Sequence, residues 1–286
     1  MFALVLGALA AASAHAPESR AAREPRNVLF DSLLDPGPAV GQGLRAKLPP
    51  PTMTDGLNAA EQKRVITAII RDHCSYDDFT RRSAVTPFRL KVQDVTPCDP
   101  DAPARGVDVW FVAHDDKFVG WLASAAKGAG TGKPLTKEQL KKRGIDPADG
   151  TPEAYRHVEI DFLEKVQLRA TIRMSWTRTD SSVLIAGEVD PRFLDDPEFP
   201  NQWQPVVREA GTRKLGPAQP WAGAGFYMKI TKLAEPAGAV FVEQHAIFAE
   251  PTGWFDGANL LRSKLPLVVQ NSVRTTRREW ARAGGP

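Results

Sequence analysis

Gly225-Phe226-Tyr227-Met228-Lys229-Ile230-Thr231-Lys232-Leu233 is followed, across the turn Glu235-Pro236-Ala237-Gly238, by Ala239-Val240-Phe241-Val242-Glu243-Gln244-His245-Ala246-Ile247-Phe248-Ala249. In the first run Phe226, Met228 and Ile230 alternate with Tyr227, Lys229 and Thr231, the two-residue period of a half-buried strand. Pro236 and Gly238 set turn dihedrals, and the second run, rich in Val and Phe, predicts the antiparallel neighbour. Pro251, Gly253 and Gly257 then end the extended chain, with Asp256 or Asn259 placed to cap a helix. Leu261, Leu265, Val268, Val269 and Val273 recur at three- and four-residue steps, while Arg274, Arg277, Arg278 and Arg282 occupy the other side. A helix with one apolar stripe must lie on something, and the sheet just built is the nearest apolar surface. Pro266 removes one helical hydrogen bond. Either the helix kinks there, or its regular part starts there with Pro266 in the first turn.

Working back toward the N-terminus, Val183 to Val189 reads as a strand, and so do two runs ahead of it. Val158, Ile160 and Phe162 alternate with His157, Glu159 and Asp161; Val166, Leu168, Ala170, Ile172, Met174 and Trp176 alternate with Gln167, Arg169, Thr171, Arg173 and Ser175. The phase is kept across Leu163-Glu164-Lys165, which favours a three-residue loop or one long bent strand over a two-residue hairpin. Asp190 to Gln204 reads as a long loop, and Val206-Val207 as a short strand. Asn58 and Glu61 stand at the spacing of a capping box for a helix from about Asn58 to His73, with Val65, Ile66, Ile69 and Ile70 as its stripe. Phe88, Leu90 and Val92, then Val107, Val109, Phe111 and Ala113, mark two more strands. The three prolines between Thr96 and Arg105 predict a loop there. Phe118, Val119 and Leu122 suggest one short helix, and Leu135 to Arg143 a second, capped by Thr136.

The 286 residues, 42% hydrophobic and 25% charged, have globular composition, with a net charge of +3. Basic and acidic residues interleave until the last helix, which argues against a nucleic-acid partner. Phe2 to Ala12 is an unbroken apolar run followed by two A-x-A patterns, ending at Ala14 and Ala16, so residues 1–14 read as an export signal leading to the periplasm or outside. A buried N-terminal helix is the other reading. Residues 15–55, rich in Pro, Ala and Arg, form an arm, in which Val28, Leu29, Phe30, Leu33 and Leu34 offer contacts for docking. Residues 56–286 form one domain. Cys74 and Cys98 suit a disulfide in an oxidising compartment, although two unrelated thiols account for them equally.

In order, the chain is a helix, two strands, two short helices, about six antiparallel strands and a long C-terminal helix. This α+β order resembles the START-like helix-grip superfamily, in which a curved antiparallel sheet grips a long C-terminal helix; the likeness spans roughly Asn58 to Arg282. It implies an apolar cavity and a lipid or other apolar or amphipathic small molecule as partner. Ile172, Met174, Trp176, Phe226, Met228, Val268 and Val269 would line that cavity. Trp203, Trp254 and Phe255 stand at its mouth, to gate it or touch a membrane, or simply to plug the end of the core. The helix arginines offer contacts to anionic headgroups, or a merely solvated face.

No motif points to a cofactor or metal. Gly128-Ala129-Gly130-Thr131-Gly132-Lys133 lacks the glycine spacing and the Ser or Thr of a phosphate loop. His73-Cys74 with Asp77 falls short of the four ligands of structural zinc. His114-Asp115-Asp116 is accounted for by helix capping. No catalytic set is evident. A hydrolase or isomerase would need inward-facing titratable groups, for which Glu188 and His245 are the candidates, since each shares a face with apolar neighbours. Glu159 and Asp161 face away from Val158 and Ile160. An interaction protein with a filled core is the remaining class, and would expose its loop aromatics as a patch.

Overall fold

A computed structural model describes residues 26–41, 43–99, 102–114, 132–146, 153–209, 211–255 and 260–283. The elements are α1 (Val28–Leu34), α2 (Ala59–Ile70), α3 (Tyr76–Thr80), β1 (Arg89–Asp99), β2 (Ala102–His114), β3 (Lys133–Pro134), α4 (Lys137–Lys141), β4 (Glu153–Phe162), β5 (Val166–Arg178), β6 (Ser182–Val189), β7 (Gln202–Glu209), β8 (Thr212–Leu215), β9 (Gln219–Pro220), β10 (Ala224–Lys232), β11 (Ala239–Ala249) and α5 (Leu260–Ala283). The protein is α+β, with one open antiparallel sheet and a long C-terminal helix. The sheet runs β1-β2-β11-β10-β6-β5-β4-β3, and β7 leaves β5 to carry β8 and β9. The export signal, the helix at Phe118 to Leu122 and most of the Gly128 to Lys133 loop lie outside the described residues.

Local chemistry explains the element ends. Asn58 and Glu61 form the capping box of α2, each side chain bonding the other's backbone amide, which satisfies two donors that a helix start leaves open. Thr136 and Gln139 do the same for α4. Between β4 and β5 the chain turns through Leu163-Glu164-Lys165, with Phe162 opposite Val166. Leu163 and Glu164 take φ of 53° and 58°, the left-handed region that so short a reversal demands. The phase of both strands is thereby preserved.

One face of the sheet, here called inner, is continuous and apolar. Val107 on β2 lies opposite Ala246, Ala246 opposite Phe226, Phe226 opposite Gly187, and Gly187 opposite Met174. A Cβ on Gly187 would stand 2.4 Å from Cζ of Phe226, so the glycine makes room for the ring. Leu261, Leu265, Val269 and Val273 of α5 join this row in one core cluster. The helix stripe read from sequence is therefore the one that packs. Pro266 lies inside α5, which starts six residues earlier at Leu260, so of the two readings of this proline the one in which the helix begins there does not hold.

Two further expectations fail. The stretch Thr96 to Arg105 is largely extended, because β1 continues to Asp99 and β2 starts at Ala102. β1 is an edge strand, and an edge tolerates the N–H that Pro97 lacks. The start of the long 190–204 loop holds, with a 3₁₀ turn at Pro191–Phe193, but its last residues, from Gln202, belong to β7.

The larger departure concerns the outer face of β10 and β11. A period of two in an antiparallel sheet ordinarily means one solvated side, yet Tyr227, Glu243 and His245 are all at most 1% exposed. Leu29 and Leu33 of α1, with Val40, Ala46 and Leu48, pack on Ala104, Ala186, Tyr227 and Ile247. Farther along, Met53, Ile66, Ile70 and Phe79 cover Trp110, Val112 and Phe241. The arm is thus a third layer. A Cβ on Gly225 would meet Pro38 at 2.5 Å, which shows how closely the arm approaches the strand.

Candidate functional site

Three places in the fold gather chemistry. The first is the end of the sheet–helix interior, where Trp254 stacks on Phe248 (ring centroids 6.2 Å, 18°) and meets Phe162, Trp203, Trp221 and Phe255 at 5.7–6.2 Å. Trp221 donates its indole N–H to Ala249 O at 3.1 Å. Trp254 is 3% exposed, yet its Nε1 has no hydrogen-bond partner among the described residues. A buried donor left unpaired costs about 1–3 kcal/mol. Just outside, Trp203, Gln219, Pro220, Pro251 and Thr252 line an open cleft of about 430 Å³.

The residues expected to line an apolar cavity mostly share the same cluster. Ile172, Met174, Phe226, Met228 and Val269 are buried in it, and Trp176 packs against it half-buried. Val268 is half-buried beside them on α5. The mouth aromatics Trp203, Trp254 and Phe255 are buried too, at 7%, 3% and 5% exposure, so they form no exposed patch.

The second place is a charged network under the arm. Glu243 accepts from the Thr52 amide (2.7 Å), the Thr52 hydroxyl (2.6 Å) and the Met53 amide (3.2 Å). Lys229, opposite Glu243 on β10, donates to Met53 O and pairs with Asp55 Oδ1, both at 2.8 Å. Asp55 in turn accepts from Thr179 and Ser182. His245 places Nδ1 2.7 Å from Asp108 Oδ1, its cross-strand partner on β2. Its Nε2 is 3.6 Å from Glu243 Oε2, an ion-pair distance and not a hydrogen bond. Tyr227 stacks on the imidazole at 4.8 Å, the Trp110 edge meets it at 5.4 Å, and Tyr227 donates to Pro49 O. Burial pushes the Tyr227 phenol far above its usual range. None of Asp55, Asp108 and Lys229 was evident as functional from sequence. The available signal was that Val240 to Phe248 is apolar on both parities, which describes a strand buried on both faces, where every charge needs a partner.

Burial alone would lower the pKa of His245, but the bond to Asp108 and the charge of Glu243 outweigh it, and the pKa is raised. The groups facing the ring are Asp108 from β2, Tyr227 and Lys229 from β10, Glu243 from its own strand, and Asp55 of the arm behind Lys229. A pKa raised on folding stabilises fully below the unfolded value, about 6.5, and that contribution is lost as pH rises through the folded value. The melting temperature should therefore fall from mildly acidic to alkaline buffer more steeply in the parent than in His245→Gln. Parallel profiles for the two proteins would refute this.

The third place is a narrow cleft of about 140 Å³ where α5 meets the segment before β1; its lining includes His73, Thr86, Phe88, Gln270, Arg274 and Arg277. Arg277 is 5% exposed and donates to three carbonyls, Val112 O (2.8 Å), Thr86 O (2.5 Å) and Pro87 O (3.0 Å), with Phe111 beneath its guanidinium. Desolvation lowers its pKa to about 10.

The titratable groups expected to mark an enzyme do not converge inside. His245 and Glu188 both lie on the outer face, and apart. Glu188 borders a separate cleft of about 290 Å³ with Tyr155, Arg173 and Arg192. There burial raises its pKa against Arg173, whose Nη1 is 3.7 Å away. Glu159 and Asp161 are exposed, paired with Arg169 and Arg213. His114 sets Nε2 3.0 Å from Thr80 O; Asp115 and Asp116 lie outside the described residues. Among the described residues no three His, Cys, Asp or Glu side chains group as a metal site. Cys74 is half-buried, and the side chain of Cys98 lies outside the described residues, as does therefore the proposed pairing of the two.

No protein-family model matches the chain, and no curated protein matches it. Among solved structures, it is similar to an uncharacterized protein from Rhizobium leguminosarum at 11% identity and a TM-score of 0.26, covering 68% of this chain and 99% of that one. It is also similar to the Mll3558 protein from Rhizobium loti at 8% identity and a TM-score of 0.26, with the same coverage of each chain. Likenesses this weak carry no argument about function.

Proposed function

We propose that the protein is an exported binding protein for an amphipathic small molecule, held between the inner face of the sheet and α5 in a START-like helix-grip arrangement. The observation that carries this reading is the unpartnered N–H of Trp254, buried in an aromatic nest beside an open cleft. A ligand with one acceptor and an otherwise apolar surface fits those walls. The arrangement is supported by β2 pairing with β11, by β4, β5 and β6 in sequence, and by α5 on the inner face. Export is proposed from the apolar run at Phe2 to Ala12.

The test is native mass spectrometry of the purified protein, then organic extraction and identification of what is released. A near-stoichiometric apolar or amphipathic compound is expected, and Trp254→Phe, which keeps the ring but loses the donor, should weaken its rebinding about fivefold, the worth of one hydrogen bond near 1 kcal/mol. A ligand-free mass, with no uptake from a lipid extract, would sink the proposal in favour of an interaction protein with a filled core.

A further inference from the structure

Arg277 is a buried cation with no anionic partner among the described residues. Its guanidinium has five N–H donors, and the three bonds it makes are all to carbonyls. Two donors are left for the cleft it lines. Carbonyl oxygens satisfy geometry without neutralising charge, and a buried charge that is not neutralised is expensive. Three residues earlier, on the same side of α5, Arg274 is half-buried with no ion-pair or hydrogen-bond partner among the described residues. Gln270 one turn back and His73 from across the cleft add further donors, and neither side chain is hydrogen-bonded to another described residue. Among the described residues no Asp or Glu lines the cleft. Every side chain that could compensate Arg277 from the wall is thus a donor or apolar.

We infer that the cleft between α5 and the segment before β1 is an anion-binding site, in which Arg274 and Arg277 receive a phosphate or carboxylate group. Guanidinium pairs suit these groups because planar N–H forks match the oxygens two at a time. The 140 Å³ of the cleft admits such a group and little more, so a larger molecule would leave its remainder outside. The site lies toward the C-terminal part of α5, some four turns from the Trp254 end, and stands independently of the ligand proposed there.

Two sources supply this chemistry, a free anion and the headgroup of an anionic lipid. Calorimetric titration of the full chain with inorganic phosphate tests the first. Co-sedimentation with phosphatidylcholine vesicles, with and without phosphatidylglycerol, tests the second. Saturable one-to-one binding of phosphate is expected for a free anion, and phosphatidylglycerol-dependent sedimentation for a headgroup. In the arm that responds, Arg274→Gln should weaken binding about tenfold or more, the scale of a hydrogen bond to a charged group, with the melting temperature unchanged because the Arg274 side chain bonds no other described residue. Arg277→Lys, which keeps the charge but not the fork, should weaken binding as well. Absence of a response in both arms, or a response that Arg274→Gln leaves intact, would overturn the inference.

Discussion

Glu243→Ala is expected to lower the unfolding free energy by about 3–5 kcal/mol, the cost of breaking one side of a buried charge network. Domains of ordinary stability hold about 5–15 kcal/mol in total, so the variant should melt about 6–20 °C early, or fail to fold if the parent sits at the low end of that range. The size follows from what the carboxylate does. It is 0% exposed and takes the Thr52 amide, the Thr52 hydroxyl and the Met53 amide. Removing it leaves those donors buried and unpaired, and takes an anion from between His245 and Lys229. The arm is the element that should respond first. Its docking surface beyond this point is a modest set of aliphatics, from Leu29 to Leu48, which must offset the entropy of ordering the segment. Limited proteolysis should therefore cut the stretch 38–57 faster in the variant, even under conditions where the sheet core stays protected. Glu243→Gln provides a milder control, since its amide keeps the volume and one acceptor. A denaturation midpoint for Glu243→Ala within about 1 kcal/mol of the parent, or unchanged protection of the arm, would show that the network is incidental to docking.

How much of this was legible in the sequence depends on the range of the interaction. Signals confined to a few residues read correctly. The strand Ala239–Ala249, the phase-keeping turn at Leu163-Glu164-Lys165 and the Asn58–Glu61 cap all appear where local pattern placed them. Contacts between distant segments did not. Thr52 and Glu243 are 191 positions apart, and Tyr227, Lys229 and Thr231 show the same alternation whether water or an arm covers them. The prolines of Thr96 to Arg105 misled for a related reason, because a proline's cost depends on whether its strand has a neighbour on that side. As for the candidate sites, the arginines of α5 were visible as a basic face, but that one of them turns inward onto the carbonyls of Val112, Thr86 and Pro87 is set by packing. Trp254 was legible as a residue at the end of the core. Its missing partner was not, since an absent bond has no sequence pattern.

Trp254→Ala should cost about 3–5 kcal/mol, the range for removing a buried tryptophan. Its ring touches five aromatic neighbours, each held by its own contacts: Trp221 by its bond to Ala249 O, and Phe248 and Phe162 by their places in β11 and β4. Walls fixed in this way cannot collapse into the gap, which puts the loss toward the upper part of the range. Trp254→Phe, with the ring area largely kept, should lose less than half as much. The cavity left by alanine would be apolar and closed on the sheet side, the kind that stays dry and accepts a small aromatic. Added indole should therefore raise the melting temperature of Trp254→Ala in a saturable way while leaving Trp254→Phe unchanged. This separates two accounts of the aromatic nest. If the nest is rigid, indole takes the place of the deleted ring and rescues the alanine variant, and by supplying the same N–H it also restores rebinding of the ligand extracted from the parent. If the aromatics merely plug a deformable core, Trp254→Ala loses no more than the lower end of that range, about 3 kcal/mol, the cavity closes, and indole has no effect at any concentration.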